Sequence, residues 1–339
     1  MIKEIIHKVV MGENLSFTEA RDVMEQVMEG KATPAQIGSL LTALRMKGET
    51  VEEIAGCAET MRTKALPITS KHSTLIDTCG TGGDGSGTFN ISTTVAFVVA
   101  GAGLPVAKHG NRSVSSKSGS ADLLEALGVK IDLSPSEVEI ILNEIGIGFL
   151  YAPVFHQAMK HAIGPRREVG IRSIFNILGP LTNPARAKVQ VLGVYDPDLT
   201  EIMAQVLERL GVESAYVVHG AGGLDEISTL GPTKISCLQQ GSIKTFTIYP
   251  EDFGLARVTL QDLQGGDAHH NAQITRSVLA GKKGPYRDIV LLNAAAAFVA
   301  AGIAKDLAFG VKMAGNSIDS GQALEKLEQL IEATNGIKH

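Results

Sequence analysis

Gly80-Thr-Gly-Gly-Asp-Gly-Ser-Gly87 follows the short apolar run Thr74–Asp77 and precedes an apolar helical pattern from about Ser92 to Ala102. This order of strand, glycine loop and helix is typical of an α/β fold. Five glycines in eight residues carry a large ordering entropy, which argues against a merely flexible loop. Backbone N–H groups in such a loop can approach an anion closely, and the following helix N-terminus adds partial positive charge. The stretch therefore predicts an anion site.

The loop fits neither of the two common nucleotide fingerprints. Gly80-x-Gly82-x-x-Gly85 matches the dinucleotide pattern, which also needs an acidic residue roughly 20 positions later to hold a ribose hydroxyl. After Asp84 the next acidic residue is Asp122. The nucleotide-triphosphate loop is excluded too, because no Gly-Lys-Ser/Thr follows.

Residues 85–121 contain no Asp or Glu, although the chain as a whole has a formal net charge of -5. The same window holds Lys108, His109, Arg112 and Lys117. Its hydroxyl and amide donors are Ser86, Thr88, Asn90, Ser92, Thr93, Asn111, Ser113, Ser115, Ser116, Ser118 and Ser120. Two successive donor-rich loops would meet at the carboxyl edge of a parallel sheet, where ligands usually bind. A multiply phosphorylated ligand fits this window better than a single carboxylate.

Further strands and helices alternate after the glycine loop, which predicts an α/β domain over residues 73–339 with a mainly parallel central sheet. The predicted strands are Leu104–Ala107, Val129–Ile131, Val189–Tyr195 and Ala215–Val218. The predicted helices are Ser120–Leu127, one opened by Ser134 and reaching Glu144, and one from Asp196-Pro197 to Leu210. Residues 234–249 read as an antiparallel hairpin, and the last 55 residues read as helical.

The first 66 residues predict a small all-α domain with no evident chemistry. Three helix starts match the capping-box pattern, at Ser16, Thr33 and Thr50. Residues from about 151 to 184 also read as helical and contain several arginines, so they could belong to either domain. We expect a helical segment around 165–185 to return to the small domain.

Composition excludes several classes of protein. The 339 residues include no Trp and only 4% aromatic residues, so stacking platforms for single-stranded nucleic acid are poorly supplied. Net negative charge argues against a nucleic-acid or anionic-membrane partner. Three cysteines without paired spacing predict neither disulfides nor a zinc site. The charged N-terminus is not a signal peptide, and no apolar run is long enough to span a bilayer. We expect a soluble cytoplasmic protein.

Several short motifs occur in a specific order: Gly80-Thr-Gly-Gly-Asp84, Asn90-Ile-Ser-Thr93, Lys108-His-Gly-Asn111 with Arg112, Gly179-Pro-Leu-Thr-Asn-Pro184 and Asp225-Glu226. Together they resemble the anthranilate phosphoribosyltransferases, glycosyltransferases of tryptophan biosynthesis. The likeness runs from the helical unit to near the C-terminus. It implies a nucleoside phosphorylase/phosphoribosyltransferase-like fold with a cleft between a small α domain and an α/β domain.

The resemblance also implies the reaction, the cofactor and the assembly. The 5-phosphoribosyl group of 5-phosphoribosyl 1-diphosphate (PRPP) would pass to the amine of anthranilate, giving N-(5-phosphoribosyl)anthranilate and diphosphate. Mg²⁺ would be the cofactor, because the developing charge on diphosphate needs a hard cation. The chain would form a homodimer through its helical domain.

Residue roles follow from the same resemblance. PRPP would contact Gly80, Gly83, Asp84, Thr88, Asn90, Ile91, Ser92, Thr93, Lys108, His109, Gly110, Asn111, Arg112, Ser113, Ser115, Ser116 and Ser120. The metal would be held by Ser92, Asp225 and Glu226, and anthranilate by Gly80, His109, Asn111 and Arg166. The residues alone do not rank Arg166 above Arg167 or Arg172. Ser120 also stands where a helix N-cap belongs.

Chemistry at this site needs little proton transfer. An aryl amine is already unprotonated at neutral pH, so attack on the anomeric carbon through an oxocarbenium-like state depends on orientation and charge stabilisation. Lys108 and His109 would support catalysis, with His109 positioning the aromatic acceptor, and no residue is a certain acid or base. Gly179-Pro180 is a candidate hinge for closure of the cleft.

Two other functions share parts of this pattern. Pyrimidine nucleoside phosphorylases have the same fold, but resemble this chain less in the Lys108–Asn111 loop and carry an additional C-terminal domain. A non-catalytic nucleic-acid-binding member of the superfamily would need a basic surface, whereas this chain is net acidic.

Overall fold

The computed structural model describes residues 1–113 and 117–337. A seven-stranded sheet in the order β3-β2-β1-β4-β5-β6-β7 organises the larger part of the chain. Its strands are β1 (Ile76–Gly80), β2 (Val106–Gly110), β3 (Ile147–Tyr151), β4 (Val189–Gly193), β5 (Ser214–Gly220), β6 (Thr233–Gln239) and β7 (Ser242–Ile248). The first five strands pair in parallel, and the hairpin β6–β7 extends β5 antiparallel. The predicted α/β class and edge hairpin are confirmed.

Helices account for most of the remaining chain. The first four are α1 (Ile2–Val10), α2 (Phe17–Met28), α3 (Pro34–Lys47) and α4 (Val51–Lys64). Around the sheet are α5 (Ile91–Gly101), α6 (Ser120–Leu127), α7 (Pro135–Ile145), α8 (Ala152–Phe155), α9 (Lys160–Val169), α10 (Phe175–Leu178) and α11 (Leu199–Arg209). The C-terminal helices are α12 (Ala268–Leu279), α13 (Pro285–Ala300), α14 (Leu307–Asp319) and α15 (Gln322–Gly336). Of the described helices, none combines the length and apolarity needed to cross a membrane.

The four N-terminal helices are defined by local capping and by an aliphatic core. Ser16, Thr33 and Thr50 each close a capping box with the residue three positions later, as the sequence predicts. Leucines and an isoleucine of α3 pack with Ile54, Ala58 and Met61 of α4 in the core between the helices. Helix α9 packs against α3, so part of the chain after β3 returns to this unit.

Alternation along the central strands divides the core of the larger domain into two layers. Val189 and Val191 face the layer that contains α5 and α13. Leu192 and Val194 face the opposite layer, where α11 and the N-terminal helices pack. The helical unit therefore shares a continuous apolar core with one face of the sheet, which fixes its position beside the strand ends.

Several local predictions were wrong. Val129–Ile131 is not a strand: it is an irregular buried segment whose Lys130 N–H donates to Thr334 Oγ1 of α15 at 3.2 Å. The edge of β2 is taken instead by β3, a strand that was missed because Gly146 and Gly148 interrupt its apolar pattern. Helix α11 begins at Leu199 rather than at Pro197, since the Asp196 carboxylate first closes a turn with the Asp198 N–H at 3.0 Å.

Candidate active site

Four strand ends bring the predicted motifs to one edge of the sheet. Strand β1 ends at Gly80, β2 at Gly110, β4 at Gly193 and β5 at Gly220. Since β1, β2, β4 and β5 are parallel, the loops that follow them open on the same side. The glycine loop, the loop after β2 and the Asp225-Glu226 pair therefore lie at one edge of the sheet, which we call the cleft edge.

Asp225 and Glu226 form a half-buried acidic cluster against the start of the glycine loop. The Gly82 N–H donates to Asp225 Oδ2 at 2.8 Å, and the Ser92 N–H donates to Glu226 Oε1 at 3.2 Å. Burial raises the pKa of Asp225, and the nearby Asp84 carboxylate raises it further. Burial also raises the pKa of Glu226 well above its usual value, and Asp225 adds to this. The cluster thus holds negative charge at a cost that a bound cation would offset.

Small residues make room for this cluster. A Cβ atom at Gly80 would clash with the Asp225 carboxylate, and one at Gly193 would clash with the Asp225 backbone. Both glycines lie at strand ends without positive φ, so close approach rather than conformational freedom explains them. In contrast, Gly82, Gly83, Gly85 and Gly87 all have positive φ, between 65° and 74°.

The side chain of Lys108, on β2, lies near the acidic cluster. It is buried, and Nζ donates to the Thr78 carbonyl at 2.5 Å and to Ser92 Oγ at 3.5 Å. Its charge lowers the pKa of Glu226 and opposes the larger effect of burial. Lys108 therefore supplies a fixed positive charge next to Ser92, one of the predicted metal-holding residues.

His109 lies in a buried pair with His156, which the sequence analysis did not identify. The two Nε2 atoms are 3.2 Å apart, so one imidazole donates and the other accepts. Burial lowers the pKa of His109 well below its usual value, and lowers that of His156 to about 4. Both rings are neutral at pH 7. This arrangement suits a positioning role for His109 better than one as a base.

A second unpredicted pair joins strand β1 to the Gly179–Pro184 motif. Asn183 Nδ2 donates to Asp77 Oδ2 and to the Ala107 carbonyl, both at 2.8 Å. The His109 N–H donates to Asp77 Oδ1 at 3.3 Å. Burial raises the pKa of Asp77 to about 6. An isolated acidic residue in an apolar strand could have drawn attention to Asp77. Its partner Asn183 could not be identified in the same way, because it lies 106 positions away in sequence.

The tip of the glycine loop is closed by side chains from two directions. Asp84 Oδ2 accepts a hydrogen bond from Ser86 Oγ at 2.6 Å. Arg172 donates to the Gly83 carbonyl, and its guanidinium carbon lies 4.2 Å from the centre of the Tyr195 ring. Arg172 is thus engaged with the loop itself, which distinguishes it from Arg166.

The loop after β2 is held by α6. Ser120 is the first residue of the helix and not its N-cap, which is Gly119, so the expected cap was wrong by one position. Ser120 Oγ accepts from the Asn111 N–H and donates to the Asn111 carbonyl, both at 3.2 Å. A Cβ at Gly110 would clash with Ser120 Oγ. The Ser113 N–H donates to Asp122 Oδ2 at 3.1 Å.

Arg112 was expected to contact PRPP, but in the structure its guanidinium is paired with carboxylates of the protein. Its guanidinium pairs with Asp122 at 2.9 Å and with Glu125 at 2.5 Å. These carboxylates lie just beyond the acid-free window and occupy the donors that were expected to hold PRPP. Ser115 and Ser116 lie outside the described residues.

The start of α5 places the remaining predicted residues. Thr88 forms an isolated β-bridge with Gln264. The Asn90 amide is bonded to Ser118 and Asn271. Ile91 and Thr93 are buried, and the Ile91 N–H already donates to the Phe89 carbonyl at 2.8 Å. The Ile91 N–H is therefore committed to the protein, and Asn90 is partly so.

Arg166 lies on α9, on the helical side of the molecule. It is half-buried, and burial lowers its pKa. Its guanidinium forms no hydrogen bond or ion pair with any residue in 1–113 or 117–337. Its neighbour Arg167 is exposed. No hydrogen bond joins Arg166 to His109 or Asn111 within the described residues.

Comparison with known proteins identifies close relatives along the whole chain. Residues 3–65 match the helical bundle domain of a glycosyl transferase family, and residues 72–324 match its a/b domain. An anthranilate phosphoribosyltransferase from Moorella thermoacetica is 60% identical over 331 residues, covering 98% of each chain.

Solved structures agree with this match. The crystal structure of anthranilate phosphoribosyltransferase from Thermus thermophilus has a TM-score of 0.93 and 44% identity, covering 97% of this chain and 99% of that one. The enzyme from Saccharomyces cerevisiae in complex with PRPP and Mg has a TM-score of 0.91 and 30% identity, covering 99% and 98%.

Proposed function

The chain belongs to the anthranilate phosphoribosyltransferase family of glycosyltransferases, and from this premise we propose how its cleft works. It transfers the 5-phosphoribosyl group of PRPP to the amine of anthranilate in tryptophan biosynthesis, giving N-(5-phosphoribosyl)anthranilate and diphosphate. The observation that carries the proposed mechanism is the meeting of the glycine loop with the Asp225-Glu226 cluster at one sheet edge.

PRPP binds along the glycine loop and the start of α5. The positive-φ glycines of this loop let backbone N–H groups turn toward an anion. Thr88, Ser92 and Thr93 add hydroxyl donors, and Lys108 adds a buried positive charge. The loop after β2, including Gly110, Asn111 and Ser113, covers the other side. Arg112 would take part only by leaving its two carboxylate partners.

Mg²⁺ is the cofactor, held by Asp225 and Glu226 with Ser92 as a further oxygen donor. Among the described residues no three His, Cys, Asp or Glu side chains form a complete metal cage. That agrees with the usual coordination of Mg²⁺, which takes one or two carboxylates and completes its shell with phosphate oxygens and water. The S. cerevisiae relative was solved in complex with PRPP and Mg. When bound, the ion supplies charge neutralisation for the departing diphosphate.

Anthranilate is held from the opposite side of the cleft. The guanidinium fork of Arg166 has no partner among residues 1–113 and 117–337, and such a fork matches a carboxylate bidentately. Asn111 and Gly80 lie at the strand ends that Arg166 reaches on closure, and the neutral His109–His156 pair orients the aromatic ring. Closure about Gly179-Pro180 brings Arg166 to the strand ends and excludes water.

Catalysis then follows from orientation and charge. The neutral aryl amine attacks the anomeric carbon as the C–O bond to diphosphate breaks. The departing diphosphate keeps the electron pair of that bond, and its oxygens take up the proton that the amine loses. No strong base is needed, in keeping with the lowered pKa of His109. Lys108 stabilises the negative charge that accumulates on the departing side.

We also propose the domain division and the assembly. The helical domain comprises residues 1–66 with the returning segment around 165–185, and residues 73–339 form the α/β domain. A groove of about 720 Å³ lies between α3 and α9, lined by Gly38, Met46 and Val169 among others. Met46 is 83% exposed and Val10 65%, which supports a homodimer across this face. Cys57, Cys79 and Cys237 are free thiols, which supports a cytoplasmic location.

Anthranilate fluorescence tests the function directly. With enzyme, Mg²⁺ and PRPP all present, the emission should change with time, and one diphosphate should be released per anthranilate consumed. Omitting any one component should stop both signals. Turnover without PRPP, or no turnover in the complete mixture, would contradict the proposal.

Light scattering on a sizing column tests the dimer, with Met46→Glu as the variant expected to give monomers.

A further inference from the structure

The segment Leu263–Asn271 runs beside the exit of the glycine loop, although no motif of the sequence drew attention to it. The Phe89 N–H donates to the Leu263 carbonyl at 3.2 Å, and the Gly265 N–H donates to the Gly87 carbonyl at 2.9 Å. Gln264 Nε2 donates to the same Gly87 carbonyl at 2.7 Å. These bonds fix the backbone at the point where the loop enters α5.

Asn271 extends this fixation to a side chain of the predicted PRPP site. It is only 2% exposed, and its Oδ1 accepts from the Gly266 N–H at 2.8 Å. Because that oxygen is occupied by a backbone donor, Nδ2 must face Asn90, and it donates to Asn90 Oδ1 at 2.9 Å. A Cβ at Gly265 would come within 2.8 Å of Asn271 Oδ1, so the packing leaves little freedom.

Asn90 is also hydrogen-bonded to the loop after β2, so it links Asn271 to that loop. Its Nδ2 donates to the Ser118 carbonyl at 3.1 Å, and Ser118 Oγ donates to Asn90 Oδ1 at 3.3 Å. The chain Asn271–Asn90–Ser118 therefore connects the start of α12, the exit of the glycine loop and the second loop. Buried amide networks of this kind determine which way each amide points.

We propose that Asn271 is a positioning residue for PRPP: it sets the orientation of the Asn90 amide and holds the two substrate loops at a fixed separation. The inference rests on the proposed role of these loops in binding PRPP. Asn271 lies outside the glycine loop and the loop after β2, and acts through Asn90. Its effect is preorganisation, since loops already held in place lose less entropy when the ligand binds.

Steady-state kinetics on four variants tests this role. Asn271→Ala removes the amide and keeps a good helix former, Ser118→Ala removes the other donor to Asn90, and the double variant combines them. Thr60→Val is the matched control, because Thr60 is a buried hydrogen-bonding residue of the helical domain that donates to the Arg21 carbonyl at 2.7 Å. For each variant, kcat, both KM values and the melting temperature are measured.

Asn271→Ala is expected to raise the KM for PRPP about fivefold, the effect of one hydrogen bond, while the KM for anthranilate changes less than about twofold. Ser118→Ala should act in the same direction. The double variant should show much less than the product of the two effects, because both residues act through Asn90. Thr60→Val should lower the melting temperature without changing either KM.

Three results would overturn the proposal: an unchanged KM for PRPP in Asn271→Ala, equal increases in both KM values, or fully multiplicative effects in the double variant. If Asn271→Ala does not fold, Ser118→Ala alone must raise the KM for PRPP selectively, and an unchanged value refutes the idea. Calorimetric binding of inorganic diphosphate with Mg²⁺ separates the two proposals. Weaker binding in Asn271→Ala supports the positioning role even if the chain does not turn over anthranilate.

Discussion

The N-terminal helices and the cleft edge are stabilised in opposite ways. In the helices, each capping box closes between residues three positions apart. At the cleft edge, the Ser92–Glu226 contact spans 134 positions and the Asn90–Asn271 contact spans 181. Local contacts form a scaffold that the nearby sequence determines. The site depends on the whole fold to bring its members together.

Buried charge shows the same contrast. In the helical unit, Glu53 is fully buried but satisfied: it accepts from Lys47 at 2.9 Å and from the backbone of Leu15 and Thr50. At the cleft edge, Asp225 and Glu226 are half-buried close to each other and to Asp84, and their pKa values are raised. One region uses charge to hold its fold, and the other keeps negative charge that Lys108 compensates only in part.

The largest effect is expected at the acidic cluster. Asp225→Asn with Glu226→Gln should lower kcat/KM about a thousandfold, or about 4 kcal/mol, by removing the metal-holding charges. The melting temperature at pH 7 should stay the same or rise, because the pKa values are raised and ionised carboxylates are a cost to the fold. Rates are measured across a Mg²⁺ titration, with Glu201→Gln plus Glu208→Gln, two exposed sites, as the control. Wild-type Mg²⁺ dependence in the first variant would remove the assignment.

Substitution of Glu53 is expected to lower the free energy of unfolding by a similar amount and to leave activity nearly unchanged. Glu53→Ala leaves the Lys47 charge without its carboxylate partner and two backbone N–H groups unsatisfied, which should cost about 3 kcal/mol of unfolding free energy. Denaturant unfolding measures this loss. Glu52→Ala, which removes an exposed pair with Arg209, should change it by less than about 0.5 kcal/mol. Equal losses of unfolding free energy in both variants would show that the buried pair stabilises the fold no more than the exposed pair does.

Arg166 tests how the helical side contributes to the cleft. Arg166→Ala should raise the KM for anthranilate about thirtyfold, since a charged bidentate contact is lost, and should leave the KM for PRPP nearly unchanged. Steady-state rates with each substrate varied in turn measure both values. Arg167→Ala, at the exposed neighbouring position, should behave like the unmodified enzyme. An unaltered KM for anthranilate in Arg166→Ala refutes the role.

The smallest effect is expected at a single helix cap. Ser16→Ala removes the side chain that accepts the Glu19 N–H and should cost about 1 kcal/mol of unfolding free energy. Neither KM should change. Thr63→Ala, at an exposed position within α4, serves as the control and should have little effect. A kinetic change in Ser16→Ala would mean that the two regions are coupled more tightly than the contacts indicate.

Local signals predicted the capping boxes and the strand–loop–helix order around Gly80. The metal role of the Asp225-Glu226 pair stays a prediction. No role was predicted for His156, Asn183 or Asn271, because each acquires its role from a partner far away in sequence. Strand β3 was missed for a similar reason. Glycines interrupt its apolar pattern, and its pairing with β2 involves residues far away in sequence.

Paired measurement of melting temperature and kcat/KM in two variants tests the central claim most directly. Glu53→Ala should lower the melting temperature by several degrees and leave kcat/KM within about threefold of the unmodified enzyme. Asp225→Asn with Glu226→Gln should leave the melting temperature unchanged or higher and lower kcat/KM about a thousandfold. If stability and activity fall together in both variants, the separation between a stabilising helical unit and a charged, functional cleft edge is contradicted.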